Sequence, residues 1–178
     1  MIQLENHSTF SYRKVGEAPR PKARAKHPFK VMVWAGISKK GATKMWLLSG
    51  SVNSAAYQEV LRTHLLPFFR ERLPDGRLQQ DNAPCHTSKS TLKFLKDNNV
   101  SLFPTPPESP DLNPIENMWH ELKHFIRTTV KPRNKEELFQ GIKTFWGTVA
   151  PEKCSKYINH LRKVIPRVLE VNGEATGY

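Results

Sequence analysis

The apolar residues of this chain change period along its length, and that change limits the folds open to it. Over residues 29–37 they alternate. Phe29, Val31, Val33, Ala35 and Ile37 stand on one face, and Lys30, Met32, Trp34 and Gly36 on the other, which is the period of a strand. Ser38-Lys39-Lys40-Gly41 reads as a turn and residues 43–49 as a second strand. The pair is expected to form an antiparallel hairpin with a four-residue loop. Residues 1–14 read as a further strand or hairpin, with Phe10, Tyr12 and Val15 spaced for alternation.

From residue 54 the period becomes helical. Tyr57, Val60, Leu61, Leu65 and Phe68 share one face of a helix over 54–72, with Ser54 as its N-cap. Pro67 is expected to kink or end it. Asp75-Gly76 is a turn, and Arg77 to Gln80 form a short strand that leads into Asp81. Thr87 or Ser88 caps a helix over 89–98, with Leu92, Phe94 and Leu95 on its apolar side. Val100 to Phe103 make another strand, stopped by Pro104, Pro106 and Pro107. After a proline-rich loop, Asn113 stands as N-cap, Pro114 takes the first helical position and Glu116 lies three past the cap. Ile115, Met118, Trp119, Leu122 and Ile126 are the buried stripe of that helix. Two C-terminal helices within 134–170 follow. One, over 134–148, presents Leu138, Ile142, Phe145 and Val149; the other, over 152–170, presents Tyr157, Ile158, Leu161 and Ile165, and Pro166 should bend or break it. Strands, helix, strand, helix, strand and helices in that order fit one α/β domain across residues 1–178, its strands in one sheet and helices packed on it.

The net charge of +12 points to a polyanionic partner. Its distribution is uneven: residues 1–30 carry seven Lys or Arg against two Glu, residues 31–116 ten against eight acids, and residues 117–178 eleven against six. The middle is nearly balanced and the flanks are basic. Residues 16–28 hold three prolines together with Arg20, Lys22, Arg24 and Lys26, the composition of an extended, exposed basic loop. Charge alone leaves a basic protein with solvated Lys faces as an alternative. No apolar run approaches the length of a membrane helix, and the first residues lack the basic-then-apolar order of a secretory signal. Cys85 and Cys154 have no zinc-ligand spacing, which points to a reducing compartment.

Two carboxylates stand out by position. Asp81 ends a strand, where ligands of α/β sheets gather, and runs into Asn82-Ala83-Pro84. Glu116 sits in the first turn of a helix, with 34 residues between the two. A strand-end Asp and a helix-borne Glu can converge on one hard divalent cation. A pair of such cations about 4 Å apart suits phosphodiester chemistry. Each acid also has a plainer reading: Asp81 as a turn residue satisfying its own backbone, and Glu116 as the capping-box partner of Asn113. Cys85 reads as a small buried residue and His86 as a residue lining the site.

Three stretches carry a family resemblance. Val31 to Ser38 (VMVWAGIS), Gln80 to Thr87 (QDNAPCHT) and Ser109 to Trp119 (SPDLNPIENMW) resemble the catalytic domain of Tc/mariner-superfamily transposases. The resemblance covers about residues 3–170. It implies an RNase H-like fold with a central mixed sheet flanked by helices. It also implies an Asp-Asp-Glu triad binding magnesium or manganese in a two-metal site, with Asp81 as the second acid and Glu116 as the third. Asn82, His86 and Asn113 are then expected to line the site. Lys123 and Arg127, on one stripe with Glu116, are expected to meet DNA, as are the basic residues of the 16–28 loop. Transposon ends and target DNA are the expected partners, with a second copy or a full-length transposase as a further one, and the nucleus the expected location.

The resemblance also exposes a gap. The family's first Asp lies on the first strand, a few residues before a stretch like Gln3-Leu4, and no Asp precedes Asp75 here. The helix-turn-helix region that recognises transposon ends is likewise expected to be absent, leaving a catalytic-domain fragment inactive alone. The alternative is a non-catalytic remnant that binds DNA or dimerises.

Overall fold

The structure is a computed structural model that describes residues 2–5, 30–48, 50–106 and 109–171. Strand β1 (Ile2–Glu5) pairs antiparallel with β2 (Lys30–Trp34), and β2 pairs antiparallel with β5 (Trp46–Leu48). Between β2 and β5 the chain forms a small hairpin of β3 (Ile37–Ser38) and β4 (Gly41–Ala42). Two further strands, β6 (Arg77–Leu78) and β7 (Ser101–Leu102), form a parallel pair. The parallel and antiparallel strands expected in one sheet thus occur as separate ladders among the described residues.

The strand expected over 29–37 breaks after Trp34, and the register explains why. Trp34 faces Trp46, while Ile37 faces Ala42. Gly36 bonds Thr43 twice, its carbonyl accepting from the Thr43 amide at 2.9 Å and its amide donating to the Thr43 hydroxyl at 2.8 Å. Lys44 and Met45 therefore stand opposite Ala35 alone, a bulge that bends the hairpin. The turn is also tighter than expected: Ser38 already pairs with Gly41, leaving a two-residue loop, and Gly41 closes it at φ 114°, a conformation that suits glycine.

Strand β2 is buried on both faces, and its alternation sorts the helices. Val31, Val33 and Ala35 enter one core, with Met118, Leu122 and Ile142 among its buried members. Trp34 enters the other, with Tyr57, Leu61 and Leu95. The second core is built on α1 (Ser54–Val60), a π-helical turn (Leu61–Leu65) and α2 (Leu66–Arg72), one continuous helical run. Its cap is Asn53, whose side chain accepts from the Ala56 amide at 2.9 Å, and not Ser54. Nor does Pro67 end the run. A proline ring clashes with the carbonyl four residues back, and the preceding turn has widened to the π form. Phe68 is only half-buried, and Leu66 takes the interior position instead. Helix α4 (Lys89–Asp97) is capped by Ser88 as expected, but it buries Thr91 and Leu95 while Leu92 stays exposed.

The first core is closed by three helices: α5 (Pro114–Phe125), continued by a π-helical turn (Ile126–Val130), α6 (Lys135–Gly147) and α7 (Pro151–Glu170). Trp119 stacks on Trp146 with ring centroids 5.5 Å apart, and the Trp146 indole donates to the Thr43 carbonyl at 2.9 Å. Glu121 on α5 accepts from Lys153 at 2.6 Å and from the Tyr157 hydroxyl, both on α7. Helix α7 runs unbroken through Pro166, and its buried residues are Cys154 and Val164; Ile165 is exposed. The expected strand or hairpin beyond Glu5, the 16–28 loop and most of the C-terminal tail lie outside the described residues. No helix among those described is long and apolar enough to cross a membrane.

Gly141 on α6 marks the tightest helix contact. A Cβ there would stand 2.7 and 2.8 Å from the two methyls of Val130 and 3.1 Å from Ile126 Cδ1. Val130 is β-branched and has little freedom to turn away. Gly141→Ala is expected to destabilise the protein by about 1–3 kcal/mol, and adding Val130→Ala should recover part of that loss. Urea unfolding of both single variants and the double variant checks the coupling; simple additivity would show that the two side chains do not collide.

Candidate metal and nucleic-acid site

Asp81 lies three residues past the end of β6, immediately before the short helix α3 (Pro84–Thr87). Its side chain is half exposed, at 53%. Oδ1 accepts from the Ala83 amide at 3.1 Å and stands 2.6 Å from His86 Nδ1. These donors favour the ionised form, and His86, the stronger influence, leads in holding the carboxyl down to about 2 against the opposing effect of burial. The Asp81 side chain thus satisfies one backbone amide as a turn residue does, yet Oδ2 takes no hydrogen bond among the described residues.

Glu116 behaves oppositely. It occupies the first turn of α5, but the capping box expected with Asn113 does not form: the Asn113 side chain makes no cap bond, and only its carbonyl is engaged, by the Glu116 amide at 3.0 Å. The Glu116 carboxylate takes no hydrogen bond among the described residues. Burial raises its proton affinity, Asp81 adds to that rise, and Lys123 opposes it. Asp81 is the least of the influences on Glu116, so the two carboxylates sense one another only weakly. A second observation ties their elements together. Gln79, two residues before Asp81, donates from Nε2 to the Leu112 carbonyl at 2.8 Å, fixing the end of β6 against the 3₁₀ turn (Pro110–Leu112) that leads into α5.

Both carboxylates have unclaimed oxygens, one firmly ionised and one raised chiefly by burial, and carboxylate oxygens are the donors a hard cation takes. Among the described residues no three His, Cys, Asp or Glu side chains gather as a metal cluster.

The other expected site residues divide. His86 is 3% exposed and bonded to Asp81, a larger part than lining the site. Asn82 is exposed beside Asp81, and Asn113 is half-buried at the start of α5. Lys123 and Arg127 are exposed on α5 and its π-helical continuation, and His120, also exposed, lies on the same stripe. Arg20, Lys22, Arg24 and Lys26 lie outside the described residues. Cys85 is half-buried. Sequence reasoning missed Gln79, Gln80 and Tyr57; the polar pair at the end of an otherwise core-directed strand was the available signal.

Comparison with known proteins shows the family and the fold. A family model described as DDE superfamily endonuclease matches residues 1–139. The transposase of the element Tc3 from Caenorhabditis elegans is 31% identical over 83% of this chain and 46% of its own length. The Tcb1 transposase of Caenorhabditis briggsae is 29% identical over 83% of this chain and 54% of its own. The chain spans about half the length of the curated relatives it matches. Among solved structures, the Mos1 transposase catalytic domain with Raltegravir and Mg superposes at TM-score 0.72 and 22% identity, covering 82% of this chain and 77% of that one. The Mos1 paired-end complex with the left transposon end reaches 0.80 at 21% identity over 98% of this chain and 54% of the other. The fold is that of the Mos1 catalytic domain, the RNase H-like arrangement expected from the sequence.

The opposed carboxylates predict a pH signature. Glu116 binds its proton more tightly folded than unfolded, so its contribution to stability is full below the ordinary carboxylate range and is lost as pH rises through the raised value. Glu116→Gln is expected to raise Tm at pH 7 in EDTA and to leave it nearly unchanged at pH 3.5. Asp81, held low, works the other way, its contribution present above its ordinary range near 4 and lost as pH falls toward 2. Melting curves from pH 3 to 7 test both, and a Glu116→Gln protein no more stable than wild type at pH 7 would contradict the burial of that carboxylate.

Proposed function

The chain belongs to the DDE superfamily endonuclease family, and from that premise we propose that it is the catalytic region of a cut-and-paste DNA transposase. The observation that carries this reading is the Gln79–Leu112 hydrogen bond, which holds the segment bearing Asp81 against the turn that leads to Glu116, each acid with carboxylate oxygens free for a cation. Asp81 and Glu116 hold divalent metal, magnesium or manganese, the ions with which the Mos1 catalytic domain has been solved. The bound metal would supply charge neutralisation at the scissile phosphate and activation of the attacking oxygen.

This chain's own residues supply position. Asp81 presents Oδ2 from the loop after β6, and Glu116 stands in the first turn of α5. Lys123 and Arg127 extend the Glu116 stripe and receive phosphates along the DNA, binding without reading sequence. The strand cut at a transposon end is then joined to target DNA, the substrates implied by the relatives. Bringing two ends together calls for a second catalytic chain, either another copy or a longer transposase. The nucleus is the compartment that offers these substrates.

Residues 1–178 contribute two of the triad's three acids. A preparation of these residues alone is expected to bind DNA and metal without joining strands, and a longer chain that supplies the first Asp is expected to join them. DNA affinity of the 178-residue protein should fall roughly tenfold or more between 50 and 200 mM salt and be unaffected by Asp81→Ala. Electrophoretic shifts across salt and a strand-joining assay with magnesium measure both. Absence of DNA binding at low salt would remove the transposase reading. Joining by the longer chain that survives Asp81→Ala would remove the role given to that residue.

A further inference from the structure

His86 is buried, at 3% exposure, with Nε2 unpartnered among the described residues, although an imidazole is costly to bury without partners. Its ring lies against Tyr57, with centroids 4.2 Å apart and planes inclined by 38°. Nδ1 stands 2.6 Å from Asp81 Oδ1 and 3.2 Å from the Asp81 backbone carbonyl. Both neighbours are acceptors, so Nδ1 carries the proton and donates. The segment is held a second time from behind. The Tyr57 hydroxyl donates to Gln80 Oε1 at 2.7 Å, and Gln80 Nε2 donates to the His86 carbonyl at 3.3 Å. Tyr57 is 1% exposed on α1, so this arrangement is anchored in the second core.

The consequence falls on the carboxylate. His86 Nδ1 and the Ala83 amide both address Oδ1 of Asp81. A carboxylate gripped on one oxygen cannot rotate freely about its Cβ–Cγ bond, and its second oxygen is presented in a fixed direction. We propose that His86 is a positioning residue of the metal site, turning the Asp81 carboxylate so that Oδ2 faces the cation while Oδ1 is occupied by protein donors. This rests on the metal-binding role given to Asp81 above. Such outer partners orient metal-ligating groups and typically change metal affinity by about 10–100-fold when removed. A purely structural His86 would need only a ring against Tyr57.

Three replacements at the position separate these roles. His86→Phe keeps the ring and loses the donor. His86→Asn places an amide nitrogen near the Nδ1 position, whereas the longer His86→Gln carries its amide toward the Nε2 position. Mn2+ binding to the 178-residue protein, followed by the electron paramagnetic resonance of free Mn2+, should be lost in Asp81→Ala and weakened about tenfold or more in His86→Phe and His86→Gln. His86→Asn should bind close to wild type. Circular dichroism and melting temperature verify folding of each variant. Should Phe prevent folding, the Asn and Gln variants, both small and polar, decide the matter alone. Wild-type affinity in folded His86→Phe or in His86→Gln, or affinity in His86→Asn as weak as in His86→Gln, overturns the positioning role. Wild-type affinity in Asp81→Ala instead removes the metal site itself, a different failure with a different signature.

Discussion

Burial of β2 on both faces is the constraint from which the rest of this architecture follows. A strand with Val31, Val33 and Ala35 on one side and Trp34 on the other cannot be satisfied by helices on a single face. It requires α5, α6 and α7 on one side and the α1–α2 run on the other, giving three layers. Once the layers exist, the start of α5 and the end of β6 are directed toward each other. Gln79 completes that approach through the Leu112 carbonyl. The segments that carry the two carboxylates are thus joined under a hydrophobic requirement tens of residues away from either.

Their surroundings are then made unequal. Asp81 is given donors and stays charged; Glu116 is given burial, only partly offset by Lys123, and no donor among the described residues. In the absence of metal this arrangement opposes folding, because one carboxylate is held where its charged form is disfavoured. A half-buried carboxylate disfavoured in this way marks a candidate binding site. The bridge from Glu121 to Lys153 and Tyr157 shows the contrast on the same helix: there the acid is matched with partners and ties α5 to α7.

Much of this was legible in the sequence where a local rule and the tertiary environment agree. The period change located most elements, Ser88 capped α4, and the Met118, Trp119 and Leu122 stripe entered the core as its spacing required. The failures share a cause. Pro67 and Pro166 read as breakers, yet the helices continue, in the first case by widening a turn. Leu92 read as core, yet Thr91 took the interior position because its hydroxyl is bonded to the Cys85 carbonyl at 2.8 Å. In both cases a hydrogen-bonding or packing solution supplied from elsewhere overruled an intrinsic preference. At the site, Asp81 and Glu116 could be named from position and resemblance, but the partner that fixes Asp81 could not. The Gln80 side chain joins the His86 carbonyl, 6 positions away, to the Tyr57 hydroxyl, 23 positions away, a link that no local pattern announces.

The charge distribution separates affinity from chemistry along the chain. Residues 31–116, which include both acids, are nearly neutral, whereas the flanks carry most of the excess positive charge. On the proposed reading, the nearly balanced segment that bears both acids keeps the local negative potential that a cation needs. Helix α5 joins the two regimes: it begins with Glu116 in the balanced segment, and its outer stripe continues through His120 and Lys123 to Arg127 in the basic one. Over that span of 11 residues, about 16 Å of helix, one element carries both the acid proposed for metal and the cations proposed for phosphate, and so sets the distance between them.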